Sequence, residues 1–338
     1  MGHPFMGIHS DAKHNRRTTA MRYVTIAELS DMIRKNLWKI PHDIDLVVGI
    51  PRSGMLPATM IALLLNIRLT DIDSFVKYGG CYSNGLSRNE YVKKGEIKKI
   101  LIVDDSIHSG NSLSDAKKKL ERIQKEYEFT FCTPIANSNG ATMVDIYFDI
   151  IDDYRVFEWN IFHHTVLSNA CVDIDGVLCL DPVEDDDGEK YRSFIQTATP
   201  LFIPTCKINT LISCRLEKYR SLTEDWLVKN NILYNQLIML NFPDKDTRIA
   251  WNKHGEYKGE YYKQHTECML FIESSLYQAE IVAKISNKPV YCVETNSMII
   301  LSEPISTEKK ILHNIRGKYP SQYHWMRTRY HKIFGRKR

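Results

Sequence analysis

Short apolar runs alternate with amphipathic stretches along the first half of the chain. Four of these runs have the length of buried strands: Leu46–Val48, Ile100–Val103, Phe129–Ile135 and Ile146–Ile151. The intervening stretches carry apolar residues at helical spacing, over residues 25–37, over 55–65 and from Leu113 to Ile123. Strands that alternate with helices in this way predict an α/β fold with a parallel sheet.

The second half of the chain repeats this alternation. Three further apolar runs have strand length: Cys171–Ile174, Thr210–Ser213 and Met269–Glu273. A chain of 338 residues is also long for one domain. We therefore expect two doubly wound parallel-sheet domains, over residues 1–165 and 166–305, followed by a tail over residues 306–338.

The stretch KILIVDDSIHSGNSL, residues 99–113, is the strongest candidate for a binding site. Asp104 and Asp105 directly follow its apolar strand, and a helical pattern begins at its end. A turn of small polar residues lies between them: Ser109, Gly110, Asn111 and Ser112. Ligands of parallel sheets bind at the carboxyl ends of strands, and a turn that enters a helix offers backbone amides to a phosphate. The stretch therefore predicts a sugar-phosphate site.

A second small-residue loop, GIPRSG, follows the Leu46–Val48 strand. On its own it is equally well explained as a structural turn. Together with residues 99–113, and in the same order, it resembles the type I phosphoribosyltransferases, an α/β family that binds 5-phosphoribosyl 1-pyrophosphate (PRPP) and Mg²⁺. The resemblance implies a phosphoribosyltransferase fold for the first domain.

The resemblance also implies a role for each matching position. Asp104 and Asp105 match the acids that bind the ribose 2- and 3-hydroxyls, and the loop from Ser109 to Ser112 matches the one that holds the 5-phosphate. Further positions match the pyrophosphate site: Arg52, Ser53, Gly54 and Lys77, the last expected directly after a strand. A polar insertion within residues 75–98 matches a mobile hood that closes over the substrate.

His108 departs from the family pattern. Several members that act on nucleobases carry an aspartate just before the phosphate loop as a catalytic base, and this chain has histidine there. A histidine can act as a base near neutral pH. A role in the phosphate loop or in packing explains the residue equally well, so the base of the transfer step stays open.

A different acidic pattern, VDIDG, follows the Cys171–Ile174 strand. Asp173 and Asp175 are two residues apart, so an extended backbone points both carboxylates to the same side. One carboxylate can then attack phosphorus while the other donates a proton to the leaving group. The pattern resembles the first motif of haloacid dehalogenase (HAD) phosphatases, although a calcium loop or a structural turn can look similar.

Later residues match the remaining HAD motifs. Ser213 ends a predicted strand and matches the residue that donates a hydrogen bond to the phosphoryl group. Lys258 matches the lysine that neutralises the phosphorylaspartate, with Lys253 and Lys263 as rival candidates. Glu273 stands in the position of the fourth-motif acid, where the family usually has aspartate.

The HAD resemblance implies a Mg²⁺ ion held by Asp173, Asp175 and Glu273. The spacing between the motifs leaves no room for a large cap domain. Capless members of that superfamily have a Rossmann-like fold with an open site, which accepts bulky or polymeric substrates. We therefore expect a capless HAD-like second domain.

Composition and charge narrow the class of protein. The chain is 43% hydrophobic and 25% charged, which is ordinary for a globular protein, and its net charge of +4 is too small to indicate a nucleic-acid partner. Its 8 cysteines contain no C-x-x-C pair, which favours reduced thiols in a cytoplasmic protein. No apolar run reaches the roughly 18 residues of a membrane-spanning helix.

The last segment is strongly basic. Residues 313–338 contain many Lys and Arg, no Asp or Glu, and interleaved aromatic residues. Such a segment suits the surface of an anionic membrane, which would place the protein at the inner face of the membrane. A solvated helix that packs on the rest of the protein is an equally good interpretation.

The two resemblances together imply a bifunctional enzyme. The first domain would transfer 5-phosphoribosyl from PRPP to an acceptor and release pyrophosphate, and the second would remove the 5-phosphate. This arrangement resembles the two-domain ribofuranosyltransferases of bacterial capsule and O-antigen assembly, so a glycan hydroxyl is the preferred acceptor and a β-ribofuranosyl group the product. Two alternatives remain: a nucleobase phosphoribosyltransferase fused to a nucleotidase, and a regulator that binds PRPP without catalysis.

Overall fold

The computed structural model describes residues 21–79, 97–184 and 186–301, which fall into two compact units that divide between Arg155 and Val156. This division lies earlier than the predicted boundary after residue 165. The aromatic segment between the two positions packs within the second unit, where the Phe162 ring stacks on Phe202 with centroids 4.3 Å apart. Most of the predicted hood and all of the predicted tail lie outside the described residues.

The first unit alternates strands and helices as the apolar pattern predicts. Its elements are β1 (Met21–Val24), α1 (Ile26–Asn36), β2 (Leu46–Gly49), α2 (Met55–Leu65), β3 (Arg68–Asp71), α3 (Ile72–Tyr78), β4 (Lys99–Val103), β5 (Ser106–Ile107), α4 (Asn111–Leu120), β6 (Glu128–Ala136), β7 (Ile146–Ile150) and, across the division, β8 (Tyr154–Phe157). Local chemistry fixes several helix ends. For example, the Thr25 hydroxyl accepts a hydrogen bond from the Glu28 amide, and the Glu28 carboxylate accepts one from the Thr25 amide, each at 3.0 Å.

The strands of the first unit form a parallel sheet in the order β3-β2-β4-β6, with β5 and β7 both paired to β6. Its core contains apolar residues from the strands and helices, including Leu46, Val48, Phe75, Ile100 and Ile102. The chain passes from β2 to β3 on one side and then to β4 on the other, so β2 and β4 meet at a topological switch point. Ligands of open α/β sheets bind outside the carboxyl ends of such strands.

Helix α2 is less buried than its composition suggests. Nearly all of its residues are apolar, which predicts burial on all sides. In the structure Ala58 and Ile61 are buried, whereas Leu63 is 76% exposed. The helix therefore covers the sheet with one face only.

The loops at the switch point of the first unit touch through backbone. The Ile50 amide donates to the Val103 carbonyl at 2.9 Å. A Cβ atom at Gly54 would lie 2.5 Å from the Ile50 carbonyl oxygen, 2.8 Å from that of Val103 and 3.0 Å from the Asp104 Cα. All three neighbours are backbone atoms, so only glycine permits this approach.

The second unit contains its own sheet. Its elements are β9 (Ala170–Val172), α5 (Glu189–Thr197), β10 (Ile208–Leu216), α6 (Arg220–Lys229), β11 (Tyr234–Leu240), α7 (Lys245–Trp251), α8 (His254–Gln264), β12 (Leu270–Glu273), α9 (Leu276–Ser286), β13 (Val290–Cys292) and β14 (Ser297–Ile299). The strand order is β11-β10-β9-β12-β13-β14, parallel except for β14. The switch point lies between β9 and β12. The predicted α/β class with parallel sheets is confirmed.

The described residues also show the lengths of the helices and the burial of the cysteines. Within the part of the chain that the structure describes, no helix combines the length and apolar composition needed to cross a bilayer. The cysteines in that part are all free, and most are buried. Free buried thiols agree with the predicted reduced state.

Gly54→Ala should destabilise the protein, because its Cβ would displace backbone of both loops. We expect the free energy of unfolding to fall by about 1–3 kcal/mol. Ser53→Ala in the same loop adds no atom and should cost less than about 0.5 kcal/mol. Urea unfolding of the full chain measures both, and equal effects of the two substitutions would contradict the close approach.

Candidate functional site

The acid pair lies where the pairing of β4 with β6 is interrupted. β4 pairs with β6 as far as Val103, and pairing resumes at Ser106 in β5. Asp104 and Asp105 occupy the interval and are only 7% and 6% exposed. The Asp105 amide donates to the Asp104 carboxylate at 2.9 Å. The sheet therefore holds two adjacent acids, nearly out of water, at the switch point.

The electrostatics of the pair favour a ligand that brings hydrogen-bond donors or positive charge. Burial and the neighbouring charge of Asp105 raise the pKa of Asp104 to about 7. An acid with this pKa is partly protonated near neutral pH, and a cation or a hydroxyl donor beside it would favour the charged form. The pair therefore has the chemistry to accept hydrogen bonds from vicinal hydroxyls and to bind a magnesium ion that accompanies a phosphate.

The predicted phosphate loop leads directly into a helix. Gly110 has φ of +78°, a left-handed conformation that favours glycine, and α4 begins at Asn111. No side chain caps this helix end, and Ser109, Asn111 and Ser112 are exposed. The first amides of a helix have no partner within the helix, so they can bind an anion.

The imidazole of His108 lies beside Asn137, the residue that follows β6. The Asn137 side-chain nitrogen is 3.3 Å from His108 Nδ1 and donates to the His108 carbonyl at 3.2 Å. The Asn137 side-chain oxygen accepts from the Gly140 amide at 2.6 Å. The asparagine thus connects His108 to the turn after β6. This contact could not be predicted from sequence, because it joins residues at the ends of two different strands.

The structure brings the residues of the predicted pyrophosphate site only partly together. Arg52 is exposed, Ser53 is half-buried and Gly54 contacts β4 as described above. Lys77 lies in the last turn of α3, with its Nζ 4.8 Å from the centroid of the Tyr78 ring. It does not directly follow a strand as expected, because Asp71 at the end of β3 caps α3 and a helix intervenes.

Arg155 is a buried charge that sequence analysis did not select. Its guanidinium donates to the Ile151 carbonyl at 3.3 Å and to the Ile107 carbonyl. Burial lowers the pKa of Arg155, and the negative charges of Asp105 and Asp152 oppose this effect. Its position between Tyr154 and Val156 in an apolar strand was the available signal. The arginine holds the backbone between the acid pair and His108.

A second cluster of charges lies in the second unit at the carboxyl ends of β9 and β12. Lys258 Nζ donates to Asp173 at 2.7 Å and to Glu273 at 2.8 Å, and all three residues are buried. Gln278 accepts from the same ammonium at 3.1 Å. Burial opposes the charge, but the two carboxylates outweigh it and raise the pKa of Lys258 well above its usual value.

The two rival lysines are not part of this cluster, since Lys253 and Lys263 are exposed. Burial raises the pKa of Asp173 well above its ordinary value, against the attraction of Lys258. The structure therefore brings together three of the residues that the HAD resemblance implied, although they are far apart in the sequence.

Asp175 is placed differently from the expectation. It forms a bidentate pair with Arg215, whose nitrogens lie 2.6 Å and 3.0 Å from the two carboxylate oxygens. The chain turns after Ile174, because the Ile174 carbonyl accepts from the Leu178 amide at 2.8 Å. Consequently Asp173 and Asp175 have different partners, and Arg215 is a site residue that sequence analysis passed over.

Ser213 does not end its strand. β10 continues to Leu216, and its pairing with β11 becomes irregular after Ile212. The irregularity gives Ser213 a local role, since its hydroxyl oxygen accepts from the Arg215 amide at 3.2 Å. The side chain is buried.

At the predicted magnesium site of the second unit, the carboxylates of Asp173 and Glu273 both bind the ammonium of Lys258. Among the described residues, no three His, Cys, Asp or Glu side chains form a group that could hold a metal ion. Arg215 binds the Asp175 carboxylate, and the implied place of Asp175 at the magnesium ion stays a prediction. When both are ionised, Asp173 and Glu273 carry one more negative charge than Lys258 compensates, and carboxylate oxygens suit a hydrated Mg²⁺.

Comparison with known proteins places the first unit in context. The profile of the phosphoribosyl transferase domain matches residues 21–167. A xanthine-guanine phosphoribosyltransferase from Chromohalobacter salexigens is 30% identical over 126 residues, which are 36% of this chain and 72% of that protein. The transcriptional regulator GfcR from Methanococcoides burtonii is 37% identical over 100 residues, 28% of this chain and 47% of that protein.

One similar solved structure is also a phosphoribosyltransferase. The Helicobacter pylori xanthine-guanine-hypoxanthine phosphoribosyltransferase is 17% identical and covers 42% of this chain and 94% of that one, with a TM-score of 0.32. The matched profile, at residues 21–167, contains the acid pair and both loops at the switch point of the first unit.

The acid pair makes the stability of the protein depend on pH. The folded chain keeps the Asp104 proton up to a pKa of about 7, whereas the unfolded chain loses it near 3.8, so stability should fall as pH rises across this window. Asp104→Asn should remove this dependence of stability on pH. Above pH 7 the free energy of unfolding of the variant should exceed that of the wild type by on the order of 4 kcal/mol at most.

Urea unfolding between pH 4 and 8 measures this effect. Asp115→Asn is the matched control, because the Asp115 side chain is 71% exposed and its loss should leave the slope unchanged. A wild-type slope that persists in Asp104→Asn would show that the pair does not carry a buried proton.

Lys258→Met should destabilise the second unit strongly. It leaves Asp173 and Glu273 buried without a counter-charge, which costs about 3–5 kcal/mol. Lys253→Met at an exposed position should cost less than about 0.5 kcal/mol. Unfolding followed by circular dichroism compares the two, and similar midpoints would contradict the cluster.

Proposed function

The chain belongs to the phosphoribosyltransferase family through its first unit, and on this premise we propose that it transfers 5-phosphoribosyl from PRPP to a purine base with release of pyrophosphate. The observation that carries the proposal is the buried pair Asp104 and Asp105 at the switch point, with a helix-entering loop after it and the Gly54 loop beside it. Each of these parts suits one part of PRPP.

Different residues bind the ribose, the 5-phosphate and the pyrophosphate of PRPP. Asp104 and Asp105 accept hydrogen bonds from the ribose hydroxyls, and the amides from Ser109 to Ser112 bind the 5-phosphate. The loop containing Arg52 faces the pyrophosphate. A ring nitrogen of the base then uses its lone pair to bond C1 of the ribose, while the bond from C1 to pyrophosphate breaks and its electrons leave with pyrophosphate. The ring N–H proton of the purine passes to water or to the released pyrophosphate. Magnesium, when bound with PRPP beside the acid pair, would offset the charge of the leaving group.

A purine is favoured over the glycan hydroxyl that sequence analysis preferred. The supporting comparison is with xanthine-guanine phosphoribosyltransferases, which match a large part of their length. No contact among the described residues favours a glycan, and the basic tail that suggested a membrane location lies outside them. The purine acceptor is therefore the stronger proposal.

The second unit supports a further step, removal of the 5′-phosphate to leave a nucleoside. Asp173 follows the central strand β9, and Lys258 beside it can balance the charge of a phosphorylated aspartate. In this step Asp173 would bond the phosphorus as the ester oxygen leaves, and water would then release inorganic phosphate. A Mg²⁺ ion would be held by Asp173 and Glu273. Asp175, oriented by Arg215, is the candidate for proton transfer.

Product analysis by mass spectrometry tests both steps. The full chain is incubated with PRPP, Mg²⁺ and xanthine, guanine or hypoxanthine, or with a capsule-type oligosaccharide. We expect a purine nucleoside from the wild type, and a nucleotide heavier by one phosphate from Asp173→Asn. The double variant Asp104→Asn with Asp105→Asn should release no pyrophosphate, while Asp115→Asn should match the wild type.

Each of the other possible results supports a different function. A ribosylated oligosaccharide without purine product would reverse the choice of acceptor. Bound PRPP without pyrophosphate release from any acceptor would favour the regulatory alternative, which the similarity to GfcR also suggests. Nucleoside from Asp173→Asn would remove the phosphatase step from the second unit.

A further inference from the structure

The side-chain amide of Asn137 has only one orientation that satisfies its neighbours. Its oxygen accepts from the Gly140 amide at 2.6 Å, and its nitrogen donates to the His108 carbonyl at 3.2 Å. Rotation by 180° would set a nitrogen against the Gly140 N–H and an oxygen against the His108 carbonyl, and both contacts would be lost. The amide nitrogen therefore faces His108.

This orientation decides the tautomer of His108. The Asn137 nitrogen lies 3.3 Å from His108 Nδ1 and can only donate, so Nδ1 must present its lone pair. In the neutral imidazole the proton then sits on Nε2, the nitrogen on the far side of the ring from Nδ1. An Nε2 that carries a hydrogen has no lone pair with which to accept a proton.

We propose that His108 is a hydrogen-bond donor to a bound substrate, through Nε2–H, and is not the base of the transfer step. The proposal rests on the proposed transferase function. It makes His108 a substrate-binding residue, and it makes Asn137, which fixes the tautomer of His108, a positioning residue.

The backbone around His108 is held firmly enough for this role. The Ile107 carbonyl accepts from the Asn137 amide at 3.2 Å and also from the buried guanidinium of Arg155. The imidazole itself is exposed and lies one residue before the phosphate loop. The proposed substrates offer two kinds of acceptor atom: a phosphate oxygen of PRPP, and a ring nitrogen or carbonyl oxygen of the purine.

The tautomer can be measured without turnover. The full chain is labelled with ¹⁵N-histidine, and the ring signals of His108 are assigned by their loss in His108→Gln. At a pH where the ring is neutral, the wild type should show a protonated Nε2 and an unprotonated Nδ1. In Asn137→Asp the carboxylate accepts from the ring, so Nδ1 should become protonated. A protonated Nδ1 in the wild type would overturn the proposal.

Three substitutions then separate a donor from a base. His108→Gln keeps a side-chain N–H, His108→Glu supplies a base, and His108→Met supplies neither. A donor role predicts that Gln retains activity within about tenfold, while Met and Glu both lose about 10²-fold. The neutral Met variant excludes charge repulsion as the cause. If Glu retains activity and Gln loses it, His108 is a base and the proposal is wrong.

Binding measurements identify the atom that accepts the bond. A weaker affinity of the Met variant for PRPP in calorimetry would indicate a phosphate oxygen, and a higher KM for the purine alone would indicate the base. If the Met variant keeps both the wild-type affinity for PRPP and the wild-type KM for the purine, the donor role is overturned. These measurements can be interpreted even if the proposed function fails. A chain that binds PRPP but transfers phosphoribosyl to no purine would still show the tautomer of His108 and the affinity for PRPP.

Discussion

Two neighbouring carboxylates held out of water at the end of one strand are the constraint on which the first unit depends. Asp104 and Asp105 are nearly inaccessible, and their mutual repulsion together with burial raises the pKa of Asp104 to about 7. Such an arrangement costs stability and persists because the surrounding backbone fixes it. Gly54 brings the neighbouring loop into contact with β4, and Arg155 holds the segment after the pair.

The second unit uses buried charge in the opposite way. There Asp173 and Glu273 share the ammonium of Lys258, and Asp175 is matched by Arg215. Most of the negative charge is compensated by the protein itself, so this site is organised before any ligand arrives. In the first unit the acids lie side by side, with the charge of Arg155 near Asp105 and a raised pKa at Asp104.

Sequence patterns predicted local structure well where the cause is local. Helix α2 has the predicted bounds, Met55–Leu65, because an apolar run ends at Asn66 in a left-handed turn. The acid pair and the Gly110 turn were recognisable from adjacent residues. Which face of α2 meets the sheet could not be predicted, because nearly all of its residues are apolar.

Contacts between distant segments account for what the sequence did not predict. Asn137 meets His108 only because β5 and β6 pair, and Arg215 meets Asp175 only because β9 and β10 pair. The end of the Ser213 strand was misplaced because a change in register leaves no mark in the apolar pattern. Lys77 was misplaced because a helix cap at Asp71 follows β3 directly.

The central claim is that the acid pair binds the ribose of PRPP at the switch point between β2 and β4. A crystal structure of the full chain with PRPP and Mg²⁺ tests it most directly. The account predicts the ribose 2- and 3-hydroxyls within hydrogen-bond distance of Asp104 and Asp105, and the 5-phosphate on the amides that open α4. Ribose bound elsewhere, with the two carboxylates contacting only protein, would contradict it.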